Sequence, residues 1–275
     1  MTTSNIVCVW YPSGGFGHFI NAVLTLHGTN FVRPTNSLTF SAEGNSHSLN
    51  LVAPKYVQNC WPGGVEFLED KNYCVLVDNG IHDENNNFKL LFPNATVIKM
   101  CYSDRSWPII AYTMIEKAMQ SNIEEQLSID DWEVDEPWVR REKYFLFLRD
   151  HHFRYMWKPV DHNDIDISVL LDYEQCYQAL NAIVEIDSFY PLWVQWKQTN
   201  AKYIEPVTLA NNIFSSINNN EYCDLTHVTD AWTQSVIYYY IWLLYKFEIP
   251  HNDYAEWFTN TKEIVTMLKD HGVNL

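Results

Sequence analysis

The segment CVWYPSGGFGHFINAVL, residues 8–24, restricts the fold of this 275-residue chain more than any other stretch of its sequence. The apolar, β-prone residues at 6–10 predict a short buried strand, which Pro12 ends. Apolar residues within 16–26 recur at helical spacing and predict a helix close behind the glycines. A strand, a glycine-rich loop and a helix in immediate succession are typical of proteins whose loop holds a phosphate or a sulfate.

The same succession of strands and helices continues through the first 120 residues. Buried strands are predicted at 73–77 (YCVLV) and at 95–101 (ATVIKMC), and a helix is predicted at 107–119. Alternation of buried strands with helices favours a parallel sheet that is covered by helices on both faces. In such a sheet ligands bind beyond the carboxyl ends of the strands, which is where a loop after the first strand would lie.

The remainder of the chain is predicted to be mainly helical. Three segments have helical patterns: 168–184, 231–247 and 254–269. The sequence therefore predicts a single α/β domain over residues 1–275, with a parallel-sheet core in 1–120 and a mainly helical part in 121–275.

The chain carries a large negative charge, since 34 acidic residues stand against 18 lysines and arginines, a formal charge of −16. A field of this sign opposes non-specific binding to nucleic acid or to an anionic membrane, so neither is predicted as a partner. The longest apolar run, VIYYYIWLLY at 236–245, is too short to cross a bilayer, and the N-terminus has no signal-peptide pattern. The six cysteines are scattered without a CxxC pair, which favours a reduced, cytoplasmic protein.

Three glycines give the loop its expected chemistry. Gly14, Gly15 and Gly17 would let the backbone approach a ligand closely and adopt positive φ angles. The helix behind them would direct N–H groups and the positive end of its dipole at an anion. The alternative is that the glycines only make a tight strand-to-helix turn and bind nothing.

The loop lacks the lysine of ordinary phosphate loops. If Gly17 is the last glycine of the pattern GxxxxGK[ST], His18 replaces the lysine and Phe19 replaces the hydroxyl that holds magnesium. Hydrolysis of ATP or GTP is therefore not expected. An anion at this loop would depend on Ser13 and on backbone amides.

The sequence YPSGGFGHFI resembles the opening of the P-loop sulfotransferase family, whose first loop reads roughly Pro-Lys-Ser-Gly-Thr-Thr. Ser13 and Gly14 match the family's Ser-Gly, while Pro12 stands in the place of its lysine. The later order of YCVLVD, FPNA, TVIKM and SDRSWPIIAY is also similar to that family. The segments DIDISVLLDYEQCYQALNAI and IPHNDYAEWFTNTKEIVTML look like compact sulfotransferase-like proteins of phages and marine microbes, so the resemblance covers most of the chain.

This resemblance implies a three-layer P-loop nucleotide-binding fold. It also implies transfer of a sulfonyl group from 3′-phosphoadenosine-5′-phosphosulfate to a hydroxyl or amine of a small-molecule or glycan acceptor, with no metal. The donor, or its product adenosine 3′,5′-bisphosphate, would be bound by the loop and one arginine: Ser13, Gly14, Gly15, Phe16, Gly17, His18 and Arg105. Arg105 lies a few residues later than the family's arginine for the 3′-phosphate, and the family's helix serine has no counterpart here.

Three side chains are candidates for catalysis. His18 could donate a hydrogen bond to the transferred group if protonated, although a helix N-terminus disfavours a cation. Asp78 directly follows the second predicted strand and His82 lies four residues later, so either is a candidate for the base that takes the acceptor's proton. The alternative is that Asp78 caps the next turn and His82 is an exposed loop histidine. The two are not predicted to bind a metal, because two ligands fix no coordination geometry.

Two further hypotheses use the same loop. GGFGHFINAV also resembles the GGxGN opening of certain fucosyltransferases, in which the loop meets a sugar nucleotide, but no HxGxR follows it. The absent lysine and the shifted arginine instead favour a non-catalytic protein that keeps the fold and an anion pocket. Binding of adenosine 3′,5′-bisphosphate, GDP-fucose or sulfate alone separates these hypotheses.

Overall fold

The computed structural model describes part of the chain. The described residues are 6–11, 15–31, 71–78, 93–103, 106, 163–229, 233–234, 237, 241, 245 and 259–275. The chain divides into two compact units, one formed by 1–103 and 124–200 and the other by 104–123 and 201–275. The sequence-based expectation of a single domain over 1–275 stays a prediction.

A parallel sheet forms the centre of the first unit. Among the described residues it has four strands: β1 Ile6–Tyr11, β2 Tyr73–Asp78, β3 Thr96–Cys101 and β4 Asp164–Asp166. The spatial order is β2-β1-β3-β4, and each neighbouring pair is parallel. Central β1 is apolar along its length because it is covered on both faces, as buried parallel strands are. The predicted α/β class with a parallel sheet is confirmed.

The strand order creates a topological switch point between β1 and β3. From β1 the chain moves toward one edge of the sheet to form β2, whereas from β3 it moves toward the opposite edge to form β4. Connections that leave two neighbouring strands in opposite directions open a crevice between their carboxyl ends, and open α/β sheets bind ligands there. Here those strand ends are Tyr11 and Cys101.

Three α-helices and one 3-10 helix are described in the first unit. They are α1 Gly17–His27, the 3-10 helix Ile167–Leu171, α2 Tyr173–Asn181 and α3 Tyr190–Thr199. Helix α1 buries a continuous apolar face that includes Ile20, Val23 and Leu24. It follows β1 directly, as predicted.

The predicted helix over 168–184 is wrong as a single helix. Asp172 has extended backbone angles (φ −119°, ψ 125°) and separates the 3-10 helix from α2. Its carboxylate accepts the N–H of Gln175 at 2.9 Å, so it caps α2. A capping aspartate is more stable at such a break than inside a helix, because its side chain satisfies an N–H that lacks an intrahelical partner.

The chain between α1 and β2 leaves and returns at one place. Phe31 pairs with Asn72 in a parallel bridge. The Asn72 backbone N–H donates to the Asn30 carbonyl at 2.9 Å, and its side-chain amide donates to the Thr29 carbonyl at 2.8 Å. The chain between α1 and β2 therefore begins and ends at residues that are hydrogen-bonded to each other beside the start of β2.

The second unit contains α4 Ala201–Asn218 and α5 Thr261–Asp270. Helix α5 buries Ile264 and Leu268, and the Asn260 side chain accepts the Glu263 N–H at 3.0 Å to cap it. Of the predicted helix 254–269, residues 254–258 lie outside the described part, and the observed helix begins at Thr261. The predicted helix 107–119 also lies outside it. No helix in the described residues is long and apolar enough to cross a membrane.

Candidate functional site

The candidate site lies where β1 passes into α1, at the carboxyl edge of the sheet and beside the β1–β3 crevice. Gly15 to His18 are described, and Gly15 and Gly17 are buried there. Four predicted site residues lie outside the described part of the chain: Ser13, Gly14, His82 and Arg105. Their predicted roles stay predictions.

Phe16 has the left-handed conformation that the sequence analysis assigned to the glycines. Its φ is 57° and its ψ is 23°, and it is the N-cap of α1 rather than the first helical residue. The Phe16 carbonyl accepts the N–H groups of Phe19 at 2.9 Å and Ile20 at 3.4 Å, which starts the helical ladder. A non-glycine residue in a sparsely populated region costs about 1–3 kcal/mol, so other contacts must hold Phe16 there.

Gly17 has a structural reason to be glycine. Its φ is not positive, and a Cβ at this position would overlap the ring of Tyr11. Tyr11 is the last residue of β1 and is only 6% exposed, so its ring has little room to move away. The absence of a side chain at Gly17 therefore allows the first turn of α1 to pack directly on the end of β1. The predicted role of Gly17 in the close approach of a ligand stays a prediction.

His18 is the second residue of α1. The side chain is half-buried, and its Nε2 lies 3.1 Å from the Tyr11 hydroxyl oxygen. The two rings meet edge to face, with centroids 5.6 Å apart. The hydroxyl donates when Nε2 is unprotonated and accepts when Nε2 carries the proton, so Tyr11 fixes the ring's orientation in either tautomer. Sequence reasoning missed Tyr11 because this contact joins residues seven apart across the turn.

Asp78 is the last residue of β2 and pairs in register with Tyr11. The structure thus brings the backbone of Asp78 next to the strand end that contacts His18. It places β2 on the side of β1 away from the β1–β3 crevice. Asp78 was predicted to follow its strand, and it is instead the strand's final residue.

An aromatic cluster packs against the loop–helix junction. The Phe16 ring meets Trp196 of α3 at right angles, with centroids 5.2 Å apart. The Phe19 ring stacks on the same indole, with centroids 4.6 Å apart and planes 21° from parallel. Trp196 is 2% exposed. Sequence reasoning did not predict α3 and so could not pair these rings.

A lysine on β3 lies one strand away from the loop. Lys99 pairs in register with Trp10, and its ammonium nitrogen lies 5.8 Å from the centre of that ring. It also lies 3.8 Å from a carboxylate oxygen of Asp164 on β4. Lysine and aspartate side chains this enclosed, at 19% and 7% exposure, are usually paired as they are here.

The thiols near the strands are not nucleophiles at neutral pH. Burial raises the pKa of Cys8 and of Cys101 to about 12, so both remain protonated. Cys8, Cys74 and Cys101 lie in β1, β2 and β3 and are free thiols. Within the described residues, no group of three or more histidine, cysteine, aspartate or glutamate side chains could hold a metal ion.

Comparison with known protein families, with curated proteins and with solved structures finds no match to this chain.

Proposed function

We propose that this protein is a sulfotransferase-like member of the P-loop nucleotide-binding class. In this proposal it transfers a sulfonyl group from a 3′-phosphoadenosine-5′-phosphosulfate-type donor to a hydroxyl or amine. One observation carries the proposal: a strand, a glycine-containing loop and a helix meet at the switch point of a parallel sheet. That is where open α/β sheets bind anionic ligands. The sequence resemblance of YPSGGFGHFI and of the later strand segments supports the choice of sulfonyl transfer over other anion chemistry.

The proposed reaction requires little beyond positioned donors and one base. The acceptor oxygen or nitrogen attacks the sulfur, the bond from sulfur to the bridging phosphate oxygen breaks, and adenosine 3′,5′-bisphosphate leaves. The acceptor's proton passes to a base, for which Asp78 and His82 are the candidates. Ser13 and the amides of residues 14–18 would hold the phosphosulfate, and Arg105 would hold the 3′-phosphate.

The part of the site that the structure describes is compatible with such a donor. The first-turn N–H groups of α1 point out of the helix beyond β1, as they do at every helix N-terminus. Tyr11 orients the imidazole of His18 at that same end.

A second function, anion or nucleotide binding without turnover, is favoured by a specific observation. The loop has histidine where a lysine is usual, and Lys99, on the strand next to β1, is engaged by Asp164. Loss of one preorganised donor typically lowers kcat by about 10²–10³. The two functions share a ligand and differ only in catalysis.

Calorimetry with adenosine 3′,5′-bisphosphate tests both functions, and a turnover assay with the sulfonate donor separates them. We expect binding of the bisphosphate and a smaller response to GDP-fucose. No binding at millimolar bisphosphate refutes both proposals, whereas stronger binding of GDP-fucose supports a sugar-nucleotide transferase instead.

Two variants locate the ligand at the loop. Gly15→Val should abolish bisphosphate binding because a side chain would fill the space that the ligand needs. Ser13→Ala should weaken binding without adding bulk, and therefore serves if the valine variant does not fold. Unchanged affinity in a folded Gly15→Val protein would show that the ligand binds elsewhere.

A further inference from the structure

Phe16 is the most unusual residue of the loop–helix junction. It adopts a left-handed conformation although glycines stand on both sides of it in the sequence. Glycine takes this conformation without steric cost, so a large side chain here needs a reason of its own. Helix capping is not that reason, because the Phe16 side chain makes no capping hydrogen bond.

The ring of Phe16 supplies the reason, since it packs edge-on against Trp196. Trp196 is in turn held by face-to-face stacking on Phe19, in the first turn of α1, and is almost completely buried. Two phenylalanines, one at the N-cap and one in the first turn of α1, therefore contact the same indole. These two contacts fix the backbone at residue 16 with respect to α1.

The backbone at residue 16 decides where the first-turn amides point. Its carbonyl accepts the first hydrogen bonds of α1, and its ψ angle sets the direction of the Gly17 N–H. A rotation of this residue would redirect that N–H while leaving the rest of the helix intact. Preorganised donors bind an anion more tightly than mobile ones, because they lose less freedom on binding.

We propose that Trp196 is a positioning residue, which acts through Phe16 to hold the loop–helix junction in the conformation that binds the phosphosulfate group. This inference rests on the proposed function, since it assigns a role at the same site. It assigns Trp196 no contact with the ligand. The alternative is a purely structural role, in which Phe16, Phe19 and Trp196 pack together in the core and have no effect on ligand binding.

The variant Phe16→Gly separates the two interpretations. Glycine removes the ring and the strain together, so the melting temperature should stay within a few degrees of the parent protein. The dissociation constant for adenosine 3′,5′-bisphosphate should nevertheless rise by about tenfold or more, because the junction can now rotate. A packing role alone would change stability and leave this affinity unchanged.

Trp196→Leu should weaken bisphosphate binding to a similar extent, and Trp196→Phe should restore part of the affinity because an aromatic partner remains. The matched control is Trp193→Leu, one turn earlier in α3. Trp193 packs against Tyr173 and Tyr190 rather than against Phe16, so its loss should leave the affinity unchanged. The double variant Phe16→Gly/Trp196→Leu should bind no more weakly than the weaker single variant, because both changes remove one contact.

The results distinguish this inference from the function on which it rests. If the parent protein does not bind the bisphosphate, the proposed function fails and the positioning role fails with it. If the parent protein binds and both Phe16→Gly and Trp196→Leu bind equally well, only the positioning role is overturned. If Trp196→Leu does not fold, Phe16→Gly and Trp196→Phe decide the question.

Discussion

Replacing Gly17 with alanine tests how the first turn of α1 packs on β1. Alanine is favoured over glycine in a helix by about 1 kcal/mol, and Gly17 has no positive φ angle to prevent the change. Its Cβ would, however, overlap the buried ring of Tyr11. Overpacking of this kind costs about 1–3 kcal/mol. Moving the ring would also lengthen the 3.1 Å contact with His18, and a lost hydrogen bond costs about 1 kcal/mol more. We therefore expect a net loss of about 1–3 kcal/mol.

Urea unfolding followed by circular dichroism measures this loss. The second change Tyr11→Ala removes the ring atoms that the new Cβ would overlap and should relieve this loss. The double variant should therefore be less destabilised than the sum of the two single variants. Gly272→Ala is the matched control. A Cβ at Gly272 meets nothing within 4 Å, but its φ of 82° makes alanine costly for conformational reasons, by about 1–2 kcal/mol. Tyr11→Ala should not rescue Gly272→Ala. A Gly17→Ala protein as stable as the parent, or one that Tyr11→Ala fails to rescue, would refute this reasoning.

Three further results are expected. Lys99→Met should lower the free energy of unfolding by about 3 kcal/mol, because it leaves the enclosed Asp164 carboxylate without its cation. The double variant Lys99→Met/Asp164→Leu should lower it less, as measured by urea unfolding. Iodoacetamide at pH 8 should label the half-exposed Cys223 before the buried Cys101, as measured by peptide mass. Burial raises the pKa of Cys101 from 9.0 to about 12. The stability that the protonated Cys101 thiol contributes should therefore be lost as the pH rises from 9 to 12. Asp172→Ala should lower the stability of the protein by about 1 kcal/mol, measured by thermal melting, because it removes a helix cap.

The apolar strands could be predicted from the sequence because each is a short run of apolar, β-prone residues. Segments such as YCVLV and ATVIKMC read as short β-branched runs, which is the pattern that a covered parallel strand requires. β4 has no such pattern, since two of its three residues are aspartates. Asp164 is satisfied by Lys99, and Asp166 accepts the Ser168 N–H at 2.8 Å. These partners become visible only when the strand is in place.

The glycines predict where the loop lies in the sequence, but they do not predict its backbone conformation. Sequence reasoning assigns positive φ angles to glycine because no other residue adopts them without cost. Phe16 adopts one because Trp196, 180 residues later in the chain, provides a contact for its ring. Similarly, Gly17 makes a contact with Tyr11 that leaves no room for a side chain, and this contact becomes visible only in the folded chain. Conformational preferences read from neighbouring residues give the wrong answer where a contact with a side chain elsewhere in the fold contributes more free energy than the preference itself.

The strand order β2-β1-β3-β4 distinguishes between the predicted ligand-binding and catalytic residues. Asp78 ends β2, on the side of β1 away from the switch-point crevice, whereas Arg105 follows β3 by four residues, and β3 borders that crevice. If the nucleotide lies in the crevice, Arg105→Ala should raise the dissociation constant of adenosine 3′,5′-bisphosphate by about 10–100-fold, the value of a charge-assisted hydrogen bond. Asp78→Asn should leave that constant unchanged and lower turnover only, as a base for the acceptor would. Calorimetry on both variants checks this, and weaker binding by Asp78→Asn with normal binding by Arg105→Ala would place the nucleotide on the β1–β2 side instead.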